Sequence, residues 1–266
     1  MSRDMRHRSN GIADGTRRFS PGFNPARVRG LTGWWKADRR DCLDQSAGGA
    51  RALADNDPVG VWNSPAISLP GLTTGAGNRP PLKLSAAPNG RRMVYFDGVA
   101  NLSTGDFFPL GPDGDYYTAS ARCGFLVVKP DSPANTAYLL RNGSTVRSAV
   151  QWLTSGPTVR FTITDSGGAK NCDVAVPAGT ILILCWRHAG GKLYGSINGG
   201  TETEVTCGNQ ATTGNTINWP AAANDTKFKG HVGEFLLLNA DPGVAYRNRI
   251  GRYLAGQWAG TWNRQT

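Results

Sequence analysis

Apolar and polar positions alternate along most of this chain with a period of two, and only near its end with a period of 3.6. From Thr158 to Thr164, Val159, Phe161 and Ile163 alternate with polar partners, as a strand buried on one face requires. Thr136–Leu140 and Arg147–Leu153 flank an Asn142-Gly143 pair, the dipeptide of a tight hairpin turn. Ile181–Trp186 is a continuous apolar run. Gly190-Gly191 turns it into Lys192–Ile197, which ends at Asn198-Gly199 and is followed by Thr201–Cys207 as a partner. Gly30–Asp38, Arg91–Phe96 and Cys123–Lys129 read as further strands. Val232 and Phe235–Leu238 form a closing run too short to span a membrane. After Asn239, Asp241, Pro242 and Gly243, the apolar positions Tyr246, Ile250, Tyr253 and Leu254 change to helical spacing, with Gly256 as the expected stop. About ten strands and one helix predict an all-β antiparallel sandwich with a C-terminal helix across one side.

The first 29 residues have neither period. They are polar and carry Gly11, Gly15, Pro21, Gly22 and Pro25, so they predict an extended N-terminal arm (1–29) ahead of one globular domain (30–266). Charge sharpens that division. The chain carries +10, and residues 1–30 alone hold seven Arg against Asp4 and Asp14. Isolated charges resist burial and the arm is poor in apolar residues, so it cannot join the sandwich core. Arg3, Arg6, Arg8, Arg17, Arg18, Phe19 and Phe23 are instead expected to dock on a partner protein, Arg forks pairing carboxylates and the two Phe filling pockets. A solvated tail is the plainer alternative, and nucleic acid is the less favoured partner, because only the two Phe interrupt the basic residues. No apolar h-region follows the N-terminal charges, so no secretory signal is expected. The five cysteines have wide spacings and no C-x-x-C pair, which predicts reduced, buried thiols rather than a zinc site.

Six segments, taken in order, resemble the concanavalin A-like lectin/glucanase superfamily in its laminin-G-like branch: GLTGWWKAD (30–38), VGVWNS (59–64), VYFDG (94–98), LYGSING (193–199), FKGHVGEFLLLN (228–239) and RIGRYLAGQW (249–258). The resemblance implies a jelly roll of two curved antiparallel sheets, a fold common in glycan-binding modules and in bacteriophage surface proteins. One departure is that Asn63-Ser-Pro follows Trp62 where relatives often place Asp, which puts a metal or polar site there in doubt.

Hydrolysis on such a fold needs a nucleophile and a general acid on one sheet face. Glu234 has Val232, Leu236 and Leu238 as same-face neighbours and no second carboxylate, so it is expected to accept hydrogen bonds where the helix packs. Glu202 and Glu204 share a face but lie in polar surroundings and read as a solvated edge. No enzyme is therefore expected. His7, His188 and His231 are scattered, without metal-ligand spacing. Asp113-Gly-Asp115 and Asp55-Asn-Asp57 could offer oxygen ligands to calcium, but neither completes a binding loop, and both are explained as turn formers. Glycan binding calls for aromatic platforms beside hydrogen-bonding groups. Tyr116, Tyr117 and Trp219, with Asp113 and Asp115, lie in polar, turn-rich stretches and are the candidates; the plainer reading is that these rings cover the ends of the core. Trp34, Trp35, Trp62, Trp152 and Trp186 lie in strand-like runs and are expected in the core.

The expected function is that of a non-enzymatic bacteriophage virion protein: a capsid decoration, fibre, spike or tail component made in the host cytoplasm, anchored by its arm to other virion proteins, oligomeric in the assembly and able to hold host glycans. The alternative is a free-standing carbohydrate-binding, lectin-like module. No cofactor and no membrane are expected.

Overall fold

The computed structural model describes residues 23–64, 72–73, 79–98, 121–131, 136–142, 148–153, 156–176, 181–208, 217–218 and 228–266. Its centre is the closing strand β16 (Lys229–Leu238), which the sequence marks by its apolar run. One edge of β16 pairs along its length with β7 (Arg122–Pro130). The other edge is shared: β6 (Met93–Asp97) pairs with the first half and β1 (Leu31–Lys36) with the second. A register shift between Val232 and Glu234 marks a bulge at Gly233, where the Ala37 N–H donates to the Gly233 carbonyl. β12 (Leu182–Ala189), β13 (Lys192–Ile197) and β14 (Thr203–Thr206) extend the sheet beyond β7, and β5 (Leu82–Lys83) extends it beyond β6.

A second sheet contains β8 (Ala137–Asn142), β9 (Ser148–Leu153), β10 (Thr158–Asp165), β11 (Gly168–Ala175) and β15 (Ile217–Asn218), in the order β11-β10-β9-β8-β15. A small third sheet joins β2 (Leu43–Asp44), β3 (Val61–Trp62) and β4 (Leu72–Thr73). Every pairing is antiparallel, as the period-two pattern requires. β11 is absent from the sequence reading. It is an edge strand whose residues are mostly exposed, with only Cys172 and Val174 turned inward, so its apolar signal is too thin to read.

The two large sheets face each other across an aromatic ladder. Trp35 stacks on Phe235 with centroids 5.2 Å apart, Phe235 on Trp186 at 6.2 Å, and Trp186 on Phe161 of the opposite sheet at 6.0 Å. Gly124 makes room for this ladder: a Cβ there would lie 2.2 Å from the Trp186 ring. All five tryptophans assigned to the core are buried, and all five cysteines are free and buried.

The other face of the large sheet is covered by helix α1 (Gly243–Trp258). The helix runs two residues past Gly256 and ends where Ala259 turns left-handed at φ 54°. Its buried face carries Ile250, Leu254, Ala255 and Trp258, but also Arg247 and Asn248. Those two polar residues hold the chain's last segment, as shown below. Ahead of β1, Pro25–Arg27 form a 3-10 turn, Val28 is buried, and Phe23 packs against Tyr253 of α1 with ring centroids 5.6 Å apart.

Candidate functional site

Three polar arrangements deserve chemical comparison, and the first is Glu234. The bulge at Gly233 and the pairing with β1 turn its side chain towards α1, where it is fully buried. Trp34 Nε1 donates to Oε1 at 2.6 Å, Tyr253 Oη donates to Oε1 at 3.0 Å, and Trp258 Nε1 donates to Oε2 at 2.7 Å. Lys36 Nζ donates in turn to Tyr253 Oη at 3.2 Å and Gln257 Oε1 at 3.0 Å. Burial pushes the carboxyl above the usual glutamate range, opposed by the charge of Lys36 and by the three donors. Burial also lowers Lys36. A carboxylate saturated by two indoles and a phenol has no reach to a substrate; it joins β1, β16 and α1. That is the role expected of it from the sequence.

A second arrangement lies between the sheets. His188 is 2% exposed, and both of its ring nitrogens are buried. It sits opposite Arg122 in the β12–β7 register and lines a cavity of about 20 Å³. Burial first, and then the Arg122 charge, hold its pKa below the ordinary histidine value. Burial and the Lys129 charge do the same for His231, against the pull of Asp131. The sign of the linkage follows. Below the unfolded histidine value of about 6.5 the unfolded chain takes up protons that the folded chain refuses, so stability falls as pH falls. The melting temperature should therefore drop between pH 7 and pH 5, above the range of about 4 where the aspartates titrate. A His188→Leu, His231→Leu double variant should flatten that slope. An unchanged slope would show that the histidines are not its source.

The third arrangement is open to solvent. A cleft of about 360 Å³ runs along the end of the sandwich, between the end of β11, the turn after β13 and the segment that follows α1. Val174, Ala175 and Ile197 form its apolar floor, while Thr201, Thr261 and Asn263 supply hydroxyl and amide groups. None of its lining residues among the described ones is charged.

Its construction can be followed residue by residue. Asn198 adopts φ 54°, a left-handed conformation that asparagine tolerates better than most residues. Its Oδ1 accepts from the Ile183 N–H at 2.8 Å, and its carbonyl accepts from the Asn263 N–H at 2.7 Å. The turn thus fixes one wall to the other. Only glycine fits at 199, since a Cβ there would lie 2.0 Å from the Asn263 carbonyl oxygen. Asn248 of α1 clasps the final segment from the other side: its Oδ1 accepts from Trp262 Nε1 at 3.0 Å and the Gln265 N–H at 2.9 Å, and its Nδ2 donates to the Gln265 carbonyl at 2.9 Å. Gln265 Nε2 donates to Ser196 Oγ at 2.9 Å, and Arg247 Nε donates to Gln265 Oε1 at 3.2 Å. Trp262 wedges between Gly199, Gly251 and Phe125, so its ring serves as a lock and not as a platform.

Beside the cleft, Arg187 donates to both oxygens of Glu202, at 3.0 and 2.7 Å, and Arg247 Nη1 donates to Asp241 Oδ1 at 2.7 Å. Glu202 therefore does not stand on a solvated edge: Arg187 of β12, two strands across the sheet, draws it inward. Glu204 does lie on the exposed β14 edge, paired with Lys192.

The glycan candidates Asp113, Asp115, Tyr116, Tyr117 and Trp219 lie outside the described residues, as do Arg3, Arg6, Arg8, Arg17, Arg18 and Phe19 of the arm. Phe23 is described, and its ring fills a place on its own domain. Asp57 accepts the Leu53 and Ala54 N–H groups of its own turn, whereas Asp55 accepts the N–H of the distant Leu84. No group of three or more potential metal ligands occurs among the described residues. Sequence reasoning missed the cleft because its walls are a turn and an irregular segment, neither of which has a period. The signal it could have used is Asn198-Gly199, read there only as a turn.

No protein-family model and no curated protein sequence matches this chain. Solved structures do. A Trypanosoma rangeli sialidase in complex with 2,3-difluorosialic acid, a covalent intermediate, aligns at 13% identity over 87% of this chain and 34% of its own, with a TM-score of 0.54. A mutant of that sialidase displaying trans-sialidase activity aligns at 13% identity over 87% and 34%, with a TM-score of 0.51. The binding domain of botulinum neurotoxin DC, in complex with SialylT, aligns at 10% identity over 73% of this chain and 50% of its own, with a TM-score of 0.47. This chain spans about a third of the length of the sialidases. At such identities the sialidase likeness is one of fold, and the fold is an antiparallel all-β sandwich with a single C-terminal helix.

Proposed function

We propose that this chain is a carbohydrate-binding, lectin-like module that holds a glycan without cleaving it. The observation that carries this reading is the end cleft. It has an apolar floor for the C–H faces of a sugar ring and a rim of hydroxyls and amides for its hydroxyl groups, and no described lining residue is charged. Glycoside hydrolysis by paired carboxylates needs two acids flanking the bond, and the described lining residues supply none. The buried Glu234 is committed to three donors elsewhere. The sialidase-like fold agrees with this reading and supports the free-standing alternative better than the virion role, for which the structure offers no separate observation.

A glycan array followed by calorimetric titration of the hits tests the proposal. Asn263→Ala together with Thr201→Val should weaken the hits about fivefold, the worth of roughly one hydrogen bond of 1 kcal/mol. The Asn263–Asn198 bond that closes the cleft is made by the main chain and survives the change. Absence of binding to every glycan would overturn the reading, and release of free sugar from a bound glycan would overturn its non-catalytic part.

A further inference from the structure

Helix α1 has a second face that the sandwich does not use. Val244 is 39% exposed and Tyr246 is 45% exposed; among the described residues only Leu53 and Leu84 are comparably exposed large apolar side chains. Arg249 and Arg252 follow at helical spacing and are also exposed. The Arg249 guanidinium lies 5.4 Å from the Tyr246 ring centroid and 5.6 Å from that of Phe23, which is itself seated on Tyr253. The segment from Phe23 continues to Arg27 and Arg29, both exposed. No carboxylate forms an ion pair with any of these four arginines among the described residues. The helix itself contains no acid and no lysine.

We propose that this stripe of Val244, Tyr246, Arg249, Phe23 and Arg252 is an interaction surface for an acidic, partly apolar segment of another protein. Arginine, tyrosine and phenylalanine are enriched at protein interfaces, whereas lysine and the acids are depleted. A guanidinium backed by aromatic rings is held flat, its outer N–H groups free to fork onto a carboxylate. Charge selects the partner. A second copy of this chain, docked symmetrically, would set the same unpaired arginines against one another, and the chain already carries +10. Single-stranded nucleic acid binds by stacking bases on open aromatic faces, but here Arg249 lies over both rings. Val244 gives an apolar anchor that a polyanion of phosphates or sugars has no use for, whereas an acidic segment with interspersed leucines does.

The test uses the full chain and a fluorescein-labelled peptide rich in Glu and Leu, followed by anisotropy. A single-stranded oligonucleotide and a carboxylated polysaccharide of matched charge run in parallel. The peptide should bind more tightly than either. Arg249→Glu with Arg252→Glu should weaken it at least about tenfold, and Tyr246→Ala by a comparable factor, as for a central interface anchor. The Asn263→Ala, Thr201→Val cleft variant should leave peptide binding unchanged, so this surface and the glycan cleft stand or fall separately. Absence of peptide binding, equal or tighter binding of the oligonucleotide or polysaccharide, or indifference to the charge reversal would overturn the proposal.

Discussion

Replacing Glu234 with alanine should lower stability by about 3–5 kcal/mol, a large part of the roughly 5–15 kcal/mol that holds a domain together. The change strands two buried indole N–H groups and the Tyr253 hydroxyl, and it removes the negative charge facing Lys36. Glutamine is the informative control. Its amide oxygen can still accept from one side, but its NH2 group then meets an N–H or O–H donor on the other, at a cost of about 1–3 kcal/mol. Urea denaturation of both variants gives the ranking. An alanine variant within about 0.5 kcal/mol of the parent would mean that the cluster contributes little and the helix is held by apolar packing alone.

The second large effect is expected at Phe235, between Trp35 and Trp186 in the ladder that joins the sheets. Phe235→Ala removes a side chain that is 1% exposed and should cost about 3–5 kcal/mol through lost transfer energy and the cavity left behind. Phe235→Leu keeps most of the volume and should cost less than half as much. Thermal melting distinguishes this from a local effect: the alanine variant should melt in one cooperative step at lower temperature, because the ladder spans both sheets. If β8–β11 unfolded first as a separate step, the two sheets would be shown to be less tightly coupled than the stacking implies.

Both effects concern residues that the sequence singles out, and the reason is physical. Phe235 and Glu234 lie in a strand buried on both faces, where a continuous apolar run with one acid in it is conspicuous. A lone carboxylate in such a run has to be satisfied locally, so its structural role could be read before its partners were known. Trp34 and Trp258 could not be named as those partners, since they lie 200 and 24 residues away and only the β1–β16 register and the packing of α1 bring them together. His188 shows the reverse case. It lies two residues beyond an apolar run and looks unremarkable in sequence, yet the register with β7 sets it opposite Arg122 in a buried space.

Alternation of period two and a single helical stretch determined the class of fold, the number of layers and most strands, because side-chain burial in a sheet follows the chain directly. Edge strand β11 escaped because a strand with little to bury leaves little pattern. Cleft and stripe were decided by tertiary structure alone. The cleft's walls, Asn198–Thr201 and Thr261–Asn263, are some 60 residues apart and irregular; the Asn263–Asn198 main-chain bond joins them while Asn248 holds the final segment to α1, and no local periodicity encodes either contact. The stripe joins Phe23, from a segment the sequence assigned to an arm docked on a partner, to a helix more than two hundred residues later. Local sequence fixes which residues want to be buried; the folded chain alone settles which polar groups end up beside one another.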